Sequence, residues 1–392
     1  MARTFVRSTG GRLLVLAVSA ALLIGAGVAL AGRASSAPKL PPVTAQELVA
    51  SAIRATRVQP AISGRVGTHI DLGLPQLPNI GPDELTGPAS VLQYVSGDHD
   101  LRVWSSSRGL RVADLLPAAE RSITVTPANL WAWDSASFTA YHLAFPTPQS
   151  GAAGIRPHAG SPQAVQGLAG MLSPTTLAER ALAGLSPTTS VTVATNAWVA
   201  GRPTYTLVLQ PRTDTTLIGR IEMGIDSATR LPISIAVFAR GAASPAVSAT
   251  FTSVSFAPID PSTFRFVPPN GARVVELPAQ GHPMLPFAAA LPMAGGPETA
   301  VPSSRMASES AGMHRDLGEY VRVFGFGWAT VTAYRVPPLA ELQNASGFDI
   351  GALLPFNGTL FSARLVDRGD HSWLLVGAVP QSSLERVAPR LP

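Results

Sequence analysis

The sequence predicts an α+β chain made mostly of antiparallel sheet, and three observations lead there. Residues 196–271 hold four short runs, at 204–210, 220–226, 232–239 and 247–256, each rich in β-branched or aromatic side chains and bounded by turn residues, as in a meander of consecutive strands. Two stretches, beginning at Thr44 and at Ser173, place apolar residues at helical spacing. A proline-dense stretch without a sustained period, 268–309, then separates this body from a smaller set of strands and a closing helix.

With 392 residues, 46% hydrophobic and 14% charged, the chain has enough apolar side chains for two cores and is not a disordered polymer. It has no cysteine, which removes disulfides, thiolate chemistry, cysteine metal sites and a lipobox cysteine for a lipid anchor. The formal charge of +5 is concentrated in Arg3, Arg7, Arg12, Arg33 and Lys39; 29 basic residues less these 5 leaves 24, against 24 acidic residues that all lie further along. A neutral body lacks the concentrated basic face that nucleic acid requires.

Arg3, Arg7 and Arg12 precede residues 13–31, a charge-free apolar run that reads as an export signal. Residues 1–37 are therefore expected to be a signal peptide or an N-terminal membrane anchor. The run lies at the boundary between a cleaved signal and a helix able to cross roughly 30 Å of hydrocarbon. The small-x-small patterns at 29–31 and 35–37 make cleavage available. Either outcome places the body outside the cytoplasm, with the arginines held inside and membrane association kept only if the segment is uncleaved.

Residues 43–275 form the first expected domain. Thr44 and Glu47 make a capping box, followed by Leu48, Val49, Ala52 and Ile53 on one helical stripe to about Thr56. Alternating segments at 61–72, 101–105, 110–115 and 121–126 read as strands, while 73–97, with four prolines, reads as a long loop. LWAWDSASFTAYHL (130–143) is an aromatic strand, an Asp-Ser turn and a return strand. Residues 146–166 are rich in Pro, Gly and Ser. From Ser173 and Pro174, Leu177, Ala181, Leu182 and Leu185 form a second amphipathic helix. In the final meander, Asp226 to Pro232 marks a hairpin turn, and 232–239 is apolar on both faces, so this sheet is covered on both sides.

A linker is expected at 276–315 and a small α+β domain at 316–392. There, 324–335 is a strand pair or bend, 358–366 and 371–379 form a hairpin around Asp367 to Asp370, and Ser382 with Glu385 reads as a capping box for the closing helix.

Several of these passages resemble a family. VAGRPTYTLVLQP (199–211), IDSATRLP (225–232), FTSVSFAPIDPSTFRF (251–266) and the 130–143 hairpin are similar to LolA-like domains, the extracytoplasmic fold of lipoprotein carriers and RseB/MucB-type regulators. GWATVTAY (327–334) and LLVGAVPQSSLERVA (374–388) resemble the small C-terminal domain of the RseB/MucB proteins. The resemblance implies a curved, incomplete β-barrel with a helical lid, closing over an apolar cavity that takes acyl chains. It implies no cofactor.

On that fold, Trp131, Trp133, Leu207, Ile235, Val237 and Phe251 are candidates for a lipid cavity, although alternation alone does not say which face is inside, and the tryptophans equally suit ordinary packing. Leu177, Ala181, Leu182 and Leu185 are lid candidates, with core packing as the alternative. Leu384, Arg386, Val387 and Arg390 are candidates for a partner surface, and the apolar pair equally suits closure of the domain's own core. The seven histidines show no ligand-spaced set with an acid cluster; His69 with Asp71, and His99 between Asp98 and Asp100, come nearest and read as solvated strand ends, so no metal is expected. No G-x-S-x-G elbow is present, and Gly325-Phe-Gly327 reads as a bulge rather than a phosphate loop. The expected function is non-enzymatic binding of lipid or lipoprotein acyl chains in the cell envelope; the alternative is an RseB-like regulator that binds the extracytoplasmic part of a membrane anti-sigma factor.

Overall fold

The computed structural model describes residues 36–73, 96–116, 118–145, 173–183, 188–277, 321–341 and 354–392. The chain divides into compact units at Met1–Lys39 and Leu40–Pro392, and all that follows belongs to the second.

Helix α1 (Ala45–Arg57) begins where the capping box predicts: the Glu47 amide donates to Thr44 Oγ1 at 3.2 Å and the Thr44 amide to Glu47 Oε2 at 3.1 Å. Strands β1 (Ile62–Ile70), β2 (Gly97–Ser106), β3 (Gly109–Leu116), β4 (Ala119–Val125), β5 (Asn129–Asp134) and β6 (Thr139–Ala144) follow as one meander. After α2 (Pro174–Ala183), a second meander runs through β7 (Thr189–Val199), β8 (Arg202–Pro211), β9 (Ile218–Asp226), β10 (Pro232–Ala239) and β11 (Val247–Ser255). The two are joined by antiparallel pairing of β1 with β11, giving a 12-stranded sheet ordered β12-β6-β5-β4-β3-β2-β1-β11-β10-β9-β8-β7. The last member, β12 (Arg273–Glu276), runs parallel to β6 and is the exception in an otherwise antiparallel sheet.

The sheet is strongly curved and does not close. Four steps of about 4.8 Å would hold β11 and β7 some 19 Å apart in a flat sheet, yet Cα atoms of these strands lie within 8 Å. Its edge strands, β12 and β7, do not pair with each other.

Register assigns the faces, since directly opposed residues share one. Val66 stands opposite Leu101 and Phe251, Val103 opposite Val112, Val112 opposite Ile123, Ile235 opposite Ala249 and Met223, and Leu207 opposite Met223. All are buried, and together they make an unbroken apolar inner face across both meanders. The outer face carries the row Trp104, Arg111, Thr124, Trp131, His142 and Glu276 across β2 to β6 and β12.

A second, five-stranded sheet has the order β13-β14-β17-β16-β15, from β13 (Val321–Phe324), β14 (Val331–Val336), β15 (Phe356–Asn357), β16 (Ser362–Asp367) and β17 (Ser372–Gly377), with helix α3 (Gln381–Val387) against it. Its alternation works on two fronts. Val331, Ala333, Trp373 and Leu375 pack with Leu384 and Val387 of α3, whereas Ala363 and Val376 join the core of the large sheet together with Trp328, Phe356 and Phe361. Hydrogen bonds fix this contact: Trp328 Nε1 donates to Thr189 Oγ1 at 2.8 Å, the Leu217 amide and Thr216 Oγ1 both donate to the Ala378 carbonyl, and the Thr359 amide donates to the Leu72 carbonyl.

Two local expectations are corrected. The closing helix starts at Gln381 after Pro380, so Ser382 sits inside it and makes no capping bond, while Glu385 accepts from Arg364 at 3.2 Å. Gly325 and Gly327 do not bulge a strand; both have positive φ, 77° and 56°, in the turn between β13 and β14. Asp71, at the exposed end of β1, accepts the Gly73 amide in a tight turn.

Candidate functional site

The inner face brings together four of the six cavity candidates. Leu207, Ile235, Val237 and Phe251 sit on β8, β10 and β11, with β9 between the first two, all pointing inward, each at 2% exposure or less. Tyr205, Met223 and Ile225 belong to the same surface. Plain alternation in β8 and β9 would have found them once Leu207 was placed inward.

Both helices cover this flank. α1 lies on β7 and β8, α2 on β10 and β11, and the two touch each other. Leu48 and Ala52 of α1, and Ala178 and Leu182 of α2, are buried in the same apolar cluster. Of the four lid candidates, Leu182 is buried in this cluster, a position that a lid and a core helix share; the side chains of Leu177 and Ala181, and Leu185 as a whole, lie outside the described residues. α2 is tied at its start by Thr175 Oγ1, which donates to the Pro232 carbonyl at 3.0 Å. The segment before α1 is tied down as well: the Tyr205 hydroxyl donates to the Pro41 carbonyl at 3.0 Å, with the Arg230 guanidinium over its ring.

Trp131 and Trp133 go elsewhere. Their register places them on the outer face, opposite Thr124 and Ser122 on β4. Trp131 stacks on His142 at 4.0 Å, and both indoles meet Phe266, at 5.3 and 5.9 Å, where the chain after β11 folds back. His142 is held between Glu276 Oε2 and Asn129 Oδ1, each at 2.8 Å, and so links β12 to the sheet. The cluster fastens the returning chain to the outer face.

The partner-surface candidates also divide. Leu384 and Val387 are buried in the core of the second sheet, whereas Arg386 and Arg390 are exposed; Arg386 donates to the Ser382 carbonyl and to Ser383 Oγ.

Ionisable groups occur as separate pairs. His69 bonds Asp98 at 2.8 Å, His99 lies 3.8 Å from Asp114, and His371 bonds Asp370 at 2.7 Å, its proximity holding the Asp370 carboxyl below the usual range. Among the described residues no group of three or more His, Cys, Asp or Glu could hold a metal ion. Nor, among them, is any helix long and apolar enough to cross a membrane; residues 13–31 lie outside them.

No protein-family model matches the chain, and no curated protein matches it. Among solved structures it is similar to the Pseudomonas aeruginosa MucA/MucB complex, at 14% identity and TM-score 0.43 over 88% of this chain and 96% of that one. It is also similar to MucB in complex with MucA(peri), at 14% identity and TM-score 0.42 over 88% and 97%. A LolA superfamily protein from Nitrosomonas europaea is similar at 11% identity and TM-score 0.20 over 57% of this chain and 99% of that one. These are structures of the two kinds that the sequence resembles.

Proposed function

We propose that the chain is a non-enzymatic binding protein of the cell envelope that buries acyl chains against the inner face of its curved sheet, with α1 and α2 as the cover that gives access. The observation that carries this reading is the inner face itself: an apolar surface continuous from β2 to β8, on an open sheet, over whose second flank two short helices lie. Each methylene transferred from water to such a surface contributes about 0.8 kcal/mol, enough for one chain to bind without any polar contact. The export-type N-terminus of the sequence and its neutral body suit an extracytoplasmic carrier or sensor of lipid.

Ala249, 1% exposed on β11 beside Ile235, supplies the test. If acyl chains enter beneath the helices, Ala249→Phe fills their space, so uptake of a fluorescent fatty acid falls while the melting temperature is kept. If the region is only packed core, the added ring destabilises the protein by about 1–3 kcal/mol and the parent protein takes up no fatty acid, which overturns the proposal.

The alternative, a regulator that binds a membrane anti-sigma factor, is favoured by one feature. The second sheet shares a core with the first instead of hanging from it, so the two present a single continuous body to a partner. Photocrosslinking in cells from Arg386 or Arg390, the two exposed members of the partner-surface candidates, should then capture a membrane protein; recovery of lipid alone leaves the carrier reading.

A further inference from the structure

Two polar groups near the start of α2 are buried without partners. Ser173, the residue before the helix, is 0% exposed and its Oγ makes no hydrogen bond. Arg230, in the turn between β9 and β10, is half-buried, and its Nη1 is buried without an acceptor. Such groups are costly to leave unpaired, a charged one above all. Asp226, the nearest acid in the chain, does not serve, because Arg202 and Thr229 already occupy its two oxygens. Among the described residues Arg230 has no acidic partner; its guanidinium lies 4.9 Å from the centre of the Tyr205 ring.

Register brings the two groups to one place. Tyr205 and Pro232 both stand opposite Ile225, so β8, β9 and β10 form a single row at one end of the inner face. Arg230 lies over the β8 member of that row. The Pro232 carbonyl accepts from Thr175 Oγ1 at 3.0 Å, which sets the first turn of α2 on the β10 member. In that turn Pro174 has no amide hydrogen, and the amides of Thr175 and Thr176 have no partner inside the helix. A helix N-terminus carries about half a positive charge. Two positive ends therefore face the same short row.

We propose that this row holds the anionic oxygens of an amphiphile's head group, a carboxylate or a phosphate, between the Arg230 guanidinium and the first turn of α2. The inference rests on the function proposed above, since the chain of the same molecule would lie along the inner face beyond Tyr205 and Ile225. An oxyanion supplies what the residues lack: acceptors for Nη1, for the Ser173 hydroxyl and for the two amides, and a negative charge between two positive ends. The planar fork of a guanidinium matches both anions. Arg230 keeps part of its surface in solvent, so the head group reaches it from outside while the helices cover the chain. A neutral head group could accept the hydrogen bonds but would leave the charge unpaired.

Titration calorimetry of the full chain tests this with decanoate, with decanol, which has the same chain and no charge, and with acetate and inorganic phosphate, which have charge and no chain. The parent should bind decanoate about tenfold or more tighter than decanol. Arg230→Gln should remove that preference and keep the affinity for decanol; Arg230→Lys, which retains the charge without the paired donors, should reduce it and guards against damage to the turn. Ser173→Ala should weaken decanoate alone, at an unchanged melting temperature, because the hydroxyl bonds nothing in the free protein. Equal binding of decanoate and decanol by the parent overturns the head-group site and leaves the acyl-chain reading standing, whereas binding of neither removes both. Acetate or phosphate held as tightly as decanoate would mark an anion site without a chain and overturn the proposal. So would a preference for decanoate that persists in Arg230→Gln.

Discussion

The Arg202 guanidinium grips the Asp226 carboxylate at both ends, Nε to Oδ1 at 2.6 Å and Nη2 to Oδ2 at 3.1 Å, at a site where the Asp226 side chain has no exposed surface. Thr229 adds two donors to the same carboxylate, its amide and its hydroxyl, both at 2.7 Å. Burial pushes the Asp226 carboxyl up, but the bonds from Arg202 and Thr229 outweigh it and hold the group below the usual carboxylate range. Arg202 opens β8 and Asp226 closes β9, so the ion pair locks one end of the second meander, where Arg230 adopts a positive φ of 63° to complete the turn.

Asp226→Ala should therefore cost more than an ordinary surface change. Removing one partner of a buried pair typically costs about 3–5 kcal/mol. Arg202 keeps 32% of its side-chain surface and can turn to water, so the loss should fall near the lower end. Urea denaturation of the variant against the parent measures it; a change within the noise of the method would show the pair to be energetically idle.

The same carboxylate predicts a pH dependence. Its folded pKa lies below the unfolded value, about 3.9 for a free aspartate, so the stabilisation is fully present above that value and is lost as pH falls through the folded one. Asp226→Asn has no such proton to gain. Its stability should lie below that of the parent at neutral pH and the two curves should converge in acid; parallel curves down to pH 2 would refute the assignment.

Trp328 and Thr189 offer a test of how firmly the second sheet is held. The indole N–H donates to a hydroxyl that is itself buried, so Trp328→Phe leaves Thr189 Oγ1 without its donor and should cost about 1–3 kcal/mol. With Thr189→Val also present, the added penalty of Trp328→Phe should shrink, because no buried acceptor is left unpaired. Additive losses in the double variant would mean that the hydrogen bond is not what couples them.

Local chemistry was legible in the sequence where it was complete within a few residues. The Thr44 and Glu47 box, the Asp226 turn and the strand at Pro232 all appear as expected because each depends on neighbours in the chain. What alternation could not supply was the sign of a face: Trp131 and Leu207 both read as wall residues, and only the register through β4, β3, β2, β1 and β11 puts them on opposite sides. β12 was missed for a related reason, since four residues, RVVE, beside prolines carry no period, and their strand state comes from the β6 edge and from His142. Ser382 misled because Pro380 already supplies the extended residue before the helix, which removes the need for a hydroxyl cap.

Gly64 marks the place where the two meanders are sewn together. It lies on β1 between β2 and β11, next to the register shift at Arg65 and Val66, and a Cβ built there would run into the Ser253 carbonyl oxygen and crowd the Phe251 ring. The clash is with backbone, so it cannot be relieved by a rotamer change. Gly64→Ala should destabilise the protein by about 1–3 kcal/mol, whereas Gly67→Ala, whose nearest atom would be the Thr252 methyl at 3.8 Å, should be tolerated. Equal melting temperatures for the two variants would contradict the close approach.

The proline-rich stretch gives the last prediction. We propose domains at 43–275 and 316–392 joined through 276–315, a stretch in which proline density denies regular hydrogen bonding and favours exposure to protease. β12 ends at Glu276 and is paired to β6, so cleavage should fall beyond Leu277 rather than nearer Gly271. The two products should not separate, however. Trp328, Phe356, Phe361 and Val376 lie in the apolar cluster of the large sheet, and the Ala378 carbonyl accepts from both Thr216 and Leu217, so the contact survives loss of the covalent link. Limited proteolysis followed by size-exclusion chromatography should show two bands on a denaturing gel and one native peak, and Trp328→Phe should promote their separation. Fragments that part at once in the unmodified chain would place the strength of the assembly in the linker instead of in the shared core, and a chain that resists cutting at 278–315 would remove the boundary altogether.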